Sequence, residues 1–212
     1  MSDGYTSDKE QVESMKRWWK EQGKYIAMAI VVGLLIGFGW RYWHQLQARR
    51  MENASAIYQT VLQADKNKQS ITVVGGAKIL MKDYASTPYA SLAAMIWAKE
   101  AVLVKKYPLA LEKLQWVIKH SRVERFKQIA HISAARILLE LGKSKEALAE
   151  LQAVKTKSFV PLVDWVKGDA YRQEGNAALS RKYYQDAKTA LQGMPPAAAL
   201  MNMNLAQPVL PK

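Results

Sequence analysis

Three histidines, His44, His120 and His131, are the side chains best suited to proton transfer or metal ligation. They fall in different predicted elements, and none is followed three or four residues later by a second imidazole on the same helical face. Solvated or packed histidines are expected, with no metal and no cofactor. Ser133 and Asp164 would have to join His131 in a nucleophilic triad, but nothing around the serine resembles a nucleophile elbow. Asp164 and Asp169 flank Trp165, yet five residues on a helix turn two carboxylates apart, so they read as charges on a solvated face. Gly33, Gly37 and Gly39 lie in an apolar run, not between a strand and a helix, so neither a dinucleotide fingerprint nor a phosphate loop is present. The absence of cysteine excludes a disulfide framework, a thiolate zinc site and a cysteine nucleophile. No catalytic residue is expected.

Binding is the function class that remains, and charge narrows it. The 212 residues carry a formal charge of +13, while half are hydrophobic and only 11 are Gly and 7 Pro, as in an ordinary folded domain. Residues 1–40 hold five basic and five acidic side chains, so the excess lies beyond them. Arg122, Arg125, Lys127, Lys155, Lys157, Arg181 and Lys182 belong to that excess. Anionic lipid headgroups or an acidic partner suit them, and ordinary solubility alone would also account for them.

From Tyr25 to Trp40 no charged residue appears, with Lys24 and Arg41 closing the run. Sixteen helical residues rise about 24 Å, slightly less than a hydrocarbon core of roughly 30 Å. Snorkelling of Lys24 and Arg41 makes up the difference, and Trp18, Trp19, Tyr25, Trp40, Tyr42 and Trp43 form aromatic belts at the two interfaces. These belts favour a membrane helix over a buried core helix. A cleaved signal is disfavoured, because HQLQARR offers no small-x-small site. Lys9, Lys16, Arg17, Lys20 and Lys24 precede the run and Arg41, Arg49 and Arg50 follow it, which favours a cytoplasmic N-terminus. Val12, Met15 and Trp19, beside Lys16, Arg17 and Lys20, suit a short helix lying against anionic headgroups. Ala29, Gly33 and Gly37 recur every four residues and form a candidate packing face for another helix. Glycine's general abundance in membrane helices explains the same spacing equally well.

Past Arg41 the pattern is helical. Residues 41–67 read as one helix with Ala54, Ile57, Tyr58, Val61 and Leu62 on a stripe. Breaks at Val74-Gly75-Gly76 and Ser86-Thr87-Pro88 are expected to bracket a second helix carrying Ile79, Leu80 and Tyr84. Internal repetition then dominates. Gly142, Ala147, Leu151 and Val154 match the second helix of a tetratricopeptide unit. Gly175, Ala177, Ser180, Tyr184 and Ala187 match it again 33 residues on, with Gly168 and Tyr171 at first-helix positions. Lys105, Tyr107, Ala110, Leu114 and Val117 give a weaker match 37 residues before Gly142. An all-α chain is expected: a leader over 1–24, a membrane helix over 25–43, a repeat domain of about 2.5 to 3.5 helix pairs over 44–192, and a tail over 193–212. The atypical pair at 52–85 is expected to cap the array.

The leader QVESMKRWWKEQGK, the apolar run and the flanking WRYW resemble the start of the YfgM-like family of ancillary subunits of the bacterial SecYEG translocon. The stretches LGKSKEALAELQAV and GDAYRQEGNAALSRKYYQDA stand where that family has its tetratricopeptide-like units. The resemblance implies a single-pass inner-membrane protein with a cytoplasmic N-terminus and a periplasmic repeat domain. It implies the SecYEG translocon and a membrane-anchored periplasmic peptidyl-prolyl isomerase-like chaperone as partners. Membrane lipid is expected from the apolar run and the basic residues, and nucleic acid, which those basic residues could also suit, would normally be absent from a periplasmic domain. It also implies passage of emerging polypeptides to chaperones, and a cytoplasmic role restraining an envelope-stress response regulator. A membrane-tethered scaffold of another envelope assembly would use the same parts.

Overall fold

The computed structural model describes residues 4–195, excepting the side chains at 4–11, 21, 26, 27 and 30. The tail expected over 193–212 therefore lies outside the described residues from 196 onward. All regular structure among the described residues is helical: α1 Gly4–Lys66, α2 Ser70–Asp83, α3 Pro88–Leu103, α4 Tyr107–His120, α5 Glu124–Glu140, α6 Ser144–Gln152, a 3-10 turn Lys157–Phe159, α7 Val160–Gln173 and α8 Ala177–Gln192. The chain divides into two units that part between Arg50 and Met51.

In the first unit, the large apolar side chains described from Met28 to Trp43 are 48 to 71% exposed. His44 lies 4.8 Å from the Trp40 ring and 5.5 Å from the Trp43 ring. No helix is long and apolar enough to cross a membrane when only described residues are considered. The run from Tyr25 to Trp40 includes residues 26, 27 and 30, whose side chains are outside that set.

The second unit is built on one repeated turn. Lys68, Lys105, Gly142 and Gly175 all adopt positive φ, between 56° and 78°. At each, two backbone bonds close a Schellman motif, in which the residue after the turn reaches back five positions. These are Gln69 to Ala64 at 2.8 Å, Lys106 to Ala101 at 2.8 Å, Lys143 to Leu138 at 2.9 Å and Asn176 to Tyr171 at 2.9 Å, N–H donating to carbonyl each time. Each motif ends a first helix and starts a second, so the last turns of α1 pair with α2, α3 with α4, α5 with α6, and α7 with α8. Prolines in the first turns of α3, α4 and α7 place a missing N–H where no intrahelical bond is lost.

Four pairs result among the described residues, more than the expected count. The break expected at Val74-Gly75-Gly76 does not occur, because α2 runs straight through it. A Cβ on Gly76 would stand 2.4 Å from Cγ2 of Val61, so this glycine serves a close helix approach rather than a turn. The break lies earlier, at left-handed Lys68.

Packing follows the same register. Seven positions before each left-handed residue stand Val61, Ala98, Ala135 and Gly168; nine positions after it stand Ala77, Leu114, Leu151 and Tyr184. A large residue in one helix thus corresponds to a small one in its partner in every pair. Three buried clusters join each of the first three pairs to the next first helix: Val61, Leu80 and Trp97; Ala98, Leu114 and Ile137; Ala135, Leu151 and Val166. Burying Leu80, Leu151 or Phe159 contributes roughly 1.5–3 kcal/mol each.

A candidate binding face along the first helices

The register that sets the core also aligns charges on the first helices. Six positions before the left-handed residue stand Leu62, Lys99, Arg136 and Asp169. Lys99 pairs with Asp65, one first helix back. Asp169 lies within electrostatic reach of Arg136 on the preceding first helix: burial pushes the Arg136 guanidinium below its ordinary value, and the Asp169 charge opposes that shift. Asp169 also accepts from Tyr184 Oη at 2.7 Å and from Arg172 Nη2 at 3.2 Å. Burial first, and then the bond to Asp169, raises the Tyr184 phenol above its usual range. At these positions Lys99, Arg136 and Asp169 each lie near an opposite charge.

Aromatic side chains accompany them. Trp165 on α7 is 41% exposed and meets the Tyr184 ring edge-on at 5.7 Å. Tyr171 and Tyr183 stack at 5.3 Å, and Tyr58 lies 5.5 Å from Tyr89. An amphipathic ring of this kind offers contact area at small entropic cost, which suits recognition of a polypeptide. Between the end of α6 and the start of α7, Leu151, Val154, Thr156, Val160, Val163 and Lys167 line a hollow of about 320 Å³.

The residues singled out in the sequence separate into two groups. Ala29, Gly33 and Gly37 are exposed on α1, and a Cβ at either glycine would meet nothing within 4 Å. The repeat positions fall within the helix pairs. Gly142 and Gly175 are left-handed turns, and Tyr171 accepts the Schellman bond of the last pair. Ala147 and Leu151 are buried in one cluster. Gly168 lies under the ring of Tyr184, and its carbonyl accepts from buried Ser180 Oγ at 2.9 Å. Ala187 is fully buried.

The side chains weighed for catalysis are dispersed. His120 stacks on Trp116 at 4.6 Å, and His131 Nδ1 meets Glu150 Oε2 at 2.6 Å. Asp164 faces Lys167 at 3.4 Å. No group of three metal-ligating side chains occurs among the described residues. Sequence reasoning missed the matched positions Lys99, Arg136 and Asp169. Their signal was present in the 37- and 33-residue spacings of Lys105, Gly142 and Gly175, and the turn at Lys68 carries the same register back to Leu62.

The family model described as a tetratricopeptide repeat-like domain matches residues 16–207. A protein of Aggregatibacter actinomycetemcomitans named "Ancillary SecYEG translocon subunit" is 30% identical, over 87% of this chain and 90% of its own. Proteins of the same name from Haemophilus influenzae and Escherichia coli are 27% and 25% identical, covering 94% and 85% of this chain and 98% and 87% of their own. No solved structure matches the chain.

Proposed function

The chain belongs to the family of ancillary SecYEG translocon subunits with a tetratricopeptide repeat-like domain, and from that premise we propose that it is a non-enzymatic, single-pass accessory of the Sec translocon in the bacterial inner membrane. In this reading residues 1–24 are cytoplasmic, α1 crosses the bilayer over 25–43, and the helix pairs stand in the periplasm. The first-helix face holds an emerging polypeptide or a membrane-anchored peptidyl-prolyl isomerase-like chaperone. The cytoplasmic segment restrains an envelope-stress response regulator.

The observation that carries the proposal is the contrast between the two units. From Met28 to Trp43 the described large apolar side chains of α1 are exposed, whereas the second unit buries three apolar clusters between its helix pairs. Exposed apolar surface on this scale needs a partner, and Lys24 and Arg41 bound it at the positions where headgroups begin. The charges matched at Lys99, Arg136 and Asp169 and the exposed ring of Trp165 support binding rather than catalysis.

Topology tests the reading directly, because the chain has no cysteine of its own. Ser14→Cys and Glu174→Cys both place a thiol at an exposed position. A membrane-impermeant maleimide, applied to cells with a permeabilised outer membrane, should label position 174 and spare 14. The reverse pattern would overturn the periplasmic assignment.

A further inference from the structure

The connections between successive pairs, residues 84–87, 121–123 and 153–156, lie at one edge of the second unit. Short connections make neighbouring helices antiparallel, so α2, α4 and α6 end at this edge where α3, α5 and α7 begin. Contacts tie the connections together. Met81, near the end of α2, packs in one cluster with Ile118 and Phe126. Thr156 N donates to Gln128 Oε1 at 3.0 Å, and the Arg125 guanidinium stands 5.8 Å from the Phe159 ring. The pairing of Asp65 with Lys99 sets the ends of α1 and α3 side by side, so α1 runs parallel to the other first helices. Its entry into the unit, at Met51, is therefore at this same edge.

The edge carries six exposed basic side chains: Lys82, Lys119, Arg122, Arg125, Lys155 and Lys157. None of them pairs with a carboxylate among the described residues. Glu52, Asp83 and Glu124 are exposed acidic residues nearby, and Glu124 faces Lys127 at 3.8 Å. Val123 and Val160, 36% and 43% exposed, add apolar tips. The opposite edge is basic too, with Lys66, Lys68, Lys105, Lys106 and Lys145 exposed, but it lies at the far end of the helix pairs from Met51. There Lys143 pairs with Glu146 and Arg172 with Asp169, while Glu140 and Glu174 stand exposed among the cations.

We propose that the edge formed by the pair-to-pair connections rests on an anionic phospholipid surface. The proposal rests on the reading that the apolar stretch of α1 lies in a bilayer, since Met51 follows Trp40 by only eleven residues. An acidic protein would need carboxylates placed against each cation. A bilayer presents charge at every spacing and also takes up the exposed valines. Docking there turns the first-helix face to a fixed height above the membrane and limits which partners reach it.

The test uses the full chain carrying a single environment-sensitive dye, on Val123→Cys or, at the opposite edge, on Val104→Cys. Each protein is reconstituted into vesicles of phosphatidylcholine, with or without phosphatidylglycerol, that contain a headgroup-labelled quencher lipid. The dye at 123 should be quenched in the anionic vesicles only, and high salt should relieve it. The dye at 104 should not respond. Arg122→Gln with Arg125→Gln should lower the ratio of docked to undocked edge by roughly 25-fold, about fivefold per charge. Equal quenching at 123 and 104, or equal quenching in neutral vesicles, would overturn the proposal. Protection of 123 in native membranes but not in protein-free anionic vesicles would assign the edge to an acidic protein instead, and would overturn it as well. Carbonate extraction of the same vesicles separates the two readings. Release of the chain counts against the membrane helix, whereas a retained chain with an unquenched dye at 123 counts against the edge alone.

Discussion

The ring of Tyr184 lies so close over Gly168 that a Cβ there would stand 2.6 Å from both Cδ1 and Cε1. The corresponding positions in the two preceding pairs hold Ala98 with Leu114 and Ala135 with Leu151, each pair within a single buried cluster. One methyl has thus moved off the first helix as a larger ring has come onto the second. Gly168→Ala alone should destabilise the chain by about 1–3 kcal/mol, since the Tyr184 ring must shift to admit the methyl. Gly168→Ala with Tyr184→Leu recreates the combination of the inner pairs and should recover part of that loss. Thermal melts of the two single variants and the double variant give the coupling, and strictly additive effects would contradict the packing relationship.

The left-handed turns give a second prediction. Lys68 and Lys105 occupy a conformation that disfavours a Cβ, at φ 56° and 57°. Lys105→Gly should therefore stabilise the chain by about 1 kcal/mol, and Lys68→Gly should act in the same direction. Gly142→Ala and Gly175→Ala should cost a similar amount, although an added Cβ at either would meet nothing within 4 Å. Denaturant midpoints check the signs. A loss of stability in Lys105→Gly would mean that the lysine side chain contributes something beyond its backbone.

These turns also explain what the sequence conceals. The later pairs were legible because Gly142 and Gly175 mark their turns and Ala147, Leu151, Ser180 and Ala187 keep the small-and-large pattern. The second pair turns on Lys105, which gave only a weaker match, and the first on Lys68, which carries no such signal, so that its boundary was displaced onto Gly75-Gly76, where a glycine reflects helix contact. Propensity reads a glycine as a break; only its tertiary neighbour, Val61, shows otherwise. The candidate face was hidden for a related reason. Lys99, Arg136 and Asp169 differ in charge, and their equivalence is one of position rather than residue type.

Tyr184 provides a pH dependence. Its phenol is raised above the unfolded value of 10.0, so its contribution is fully present below about pH 10 and is lost as pH rises through the folded value. Stability should fall in that alkaline range, and Tyr184→Phe should weaken the fall. At neutral pH the same variant should cost about 1.5 kcal/mol, because the bond to the Asp169 carboxylate is gone. Urea melts at neutral and alkaline pH separate the two effects; an unchanged alkaline slope in the variant would remove Tyr184 as the cause.

Ala29, Gly33 and Gly37 share one face of α1 by their spacing, and Leu at both glycines would keep the stretch apolar while blocking close helix approach. Gly33→Leu with Gly37→Leu should leave expression and topology unchanged and lower recovery of SecYEG in mild detergent. The helix pairs would retain their own contacts, yet tethering would no longer concentrate them at the partner. Wild-type recovery from the double variant would reduce α1 to an anchor.

The proposed place at the translocon is tested most directly in native membranes, by lysine-reactive cross-linking followed by mass spectrometry of the joined peptides. Lysines on either side of the apolar stretch, such as Lys24 and Lys66, are exposed and available for reaction. Peptides joining this chain to subunits of SecYEG should be recovered, and they should be depleted in the Gly33→Leu, Gly37→Leu variant. Reproducible cross-links to a different envelope assembly, with none to SecYEG, would contradict the assignment.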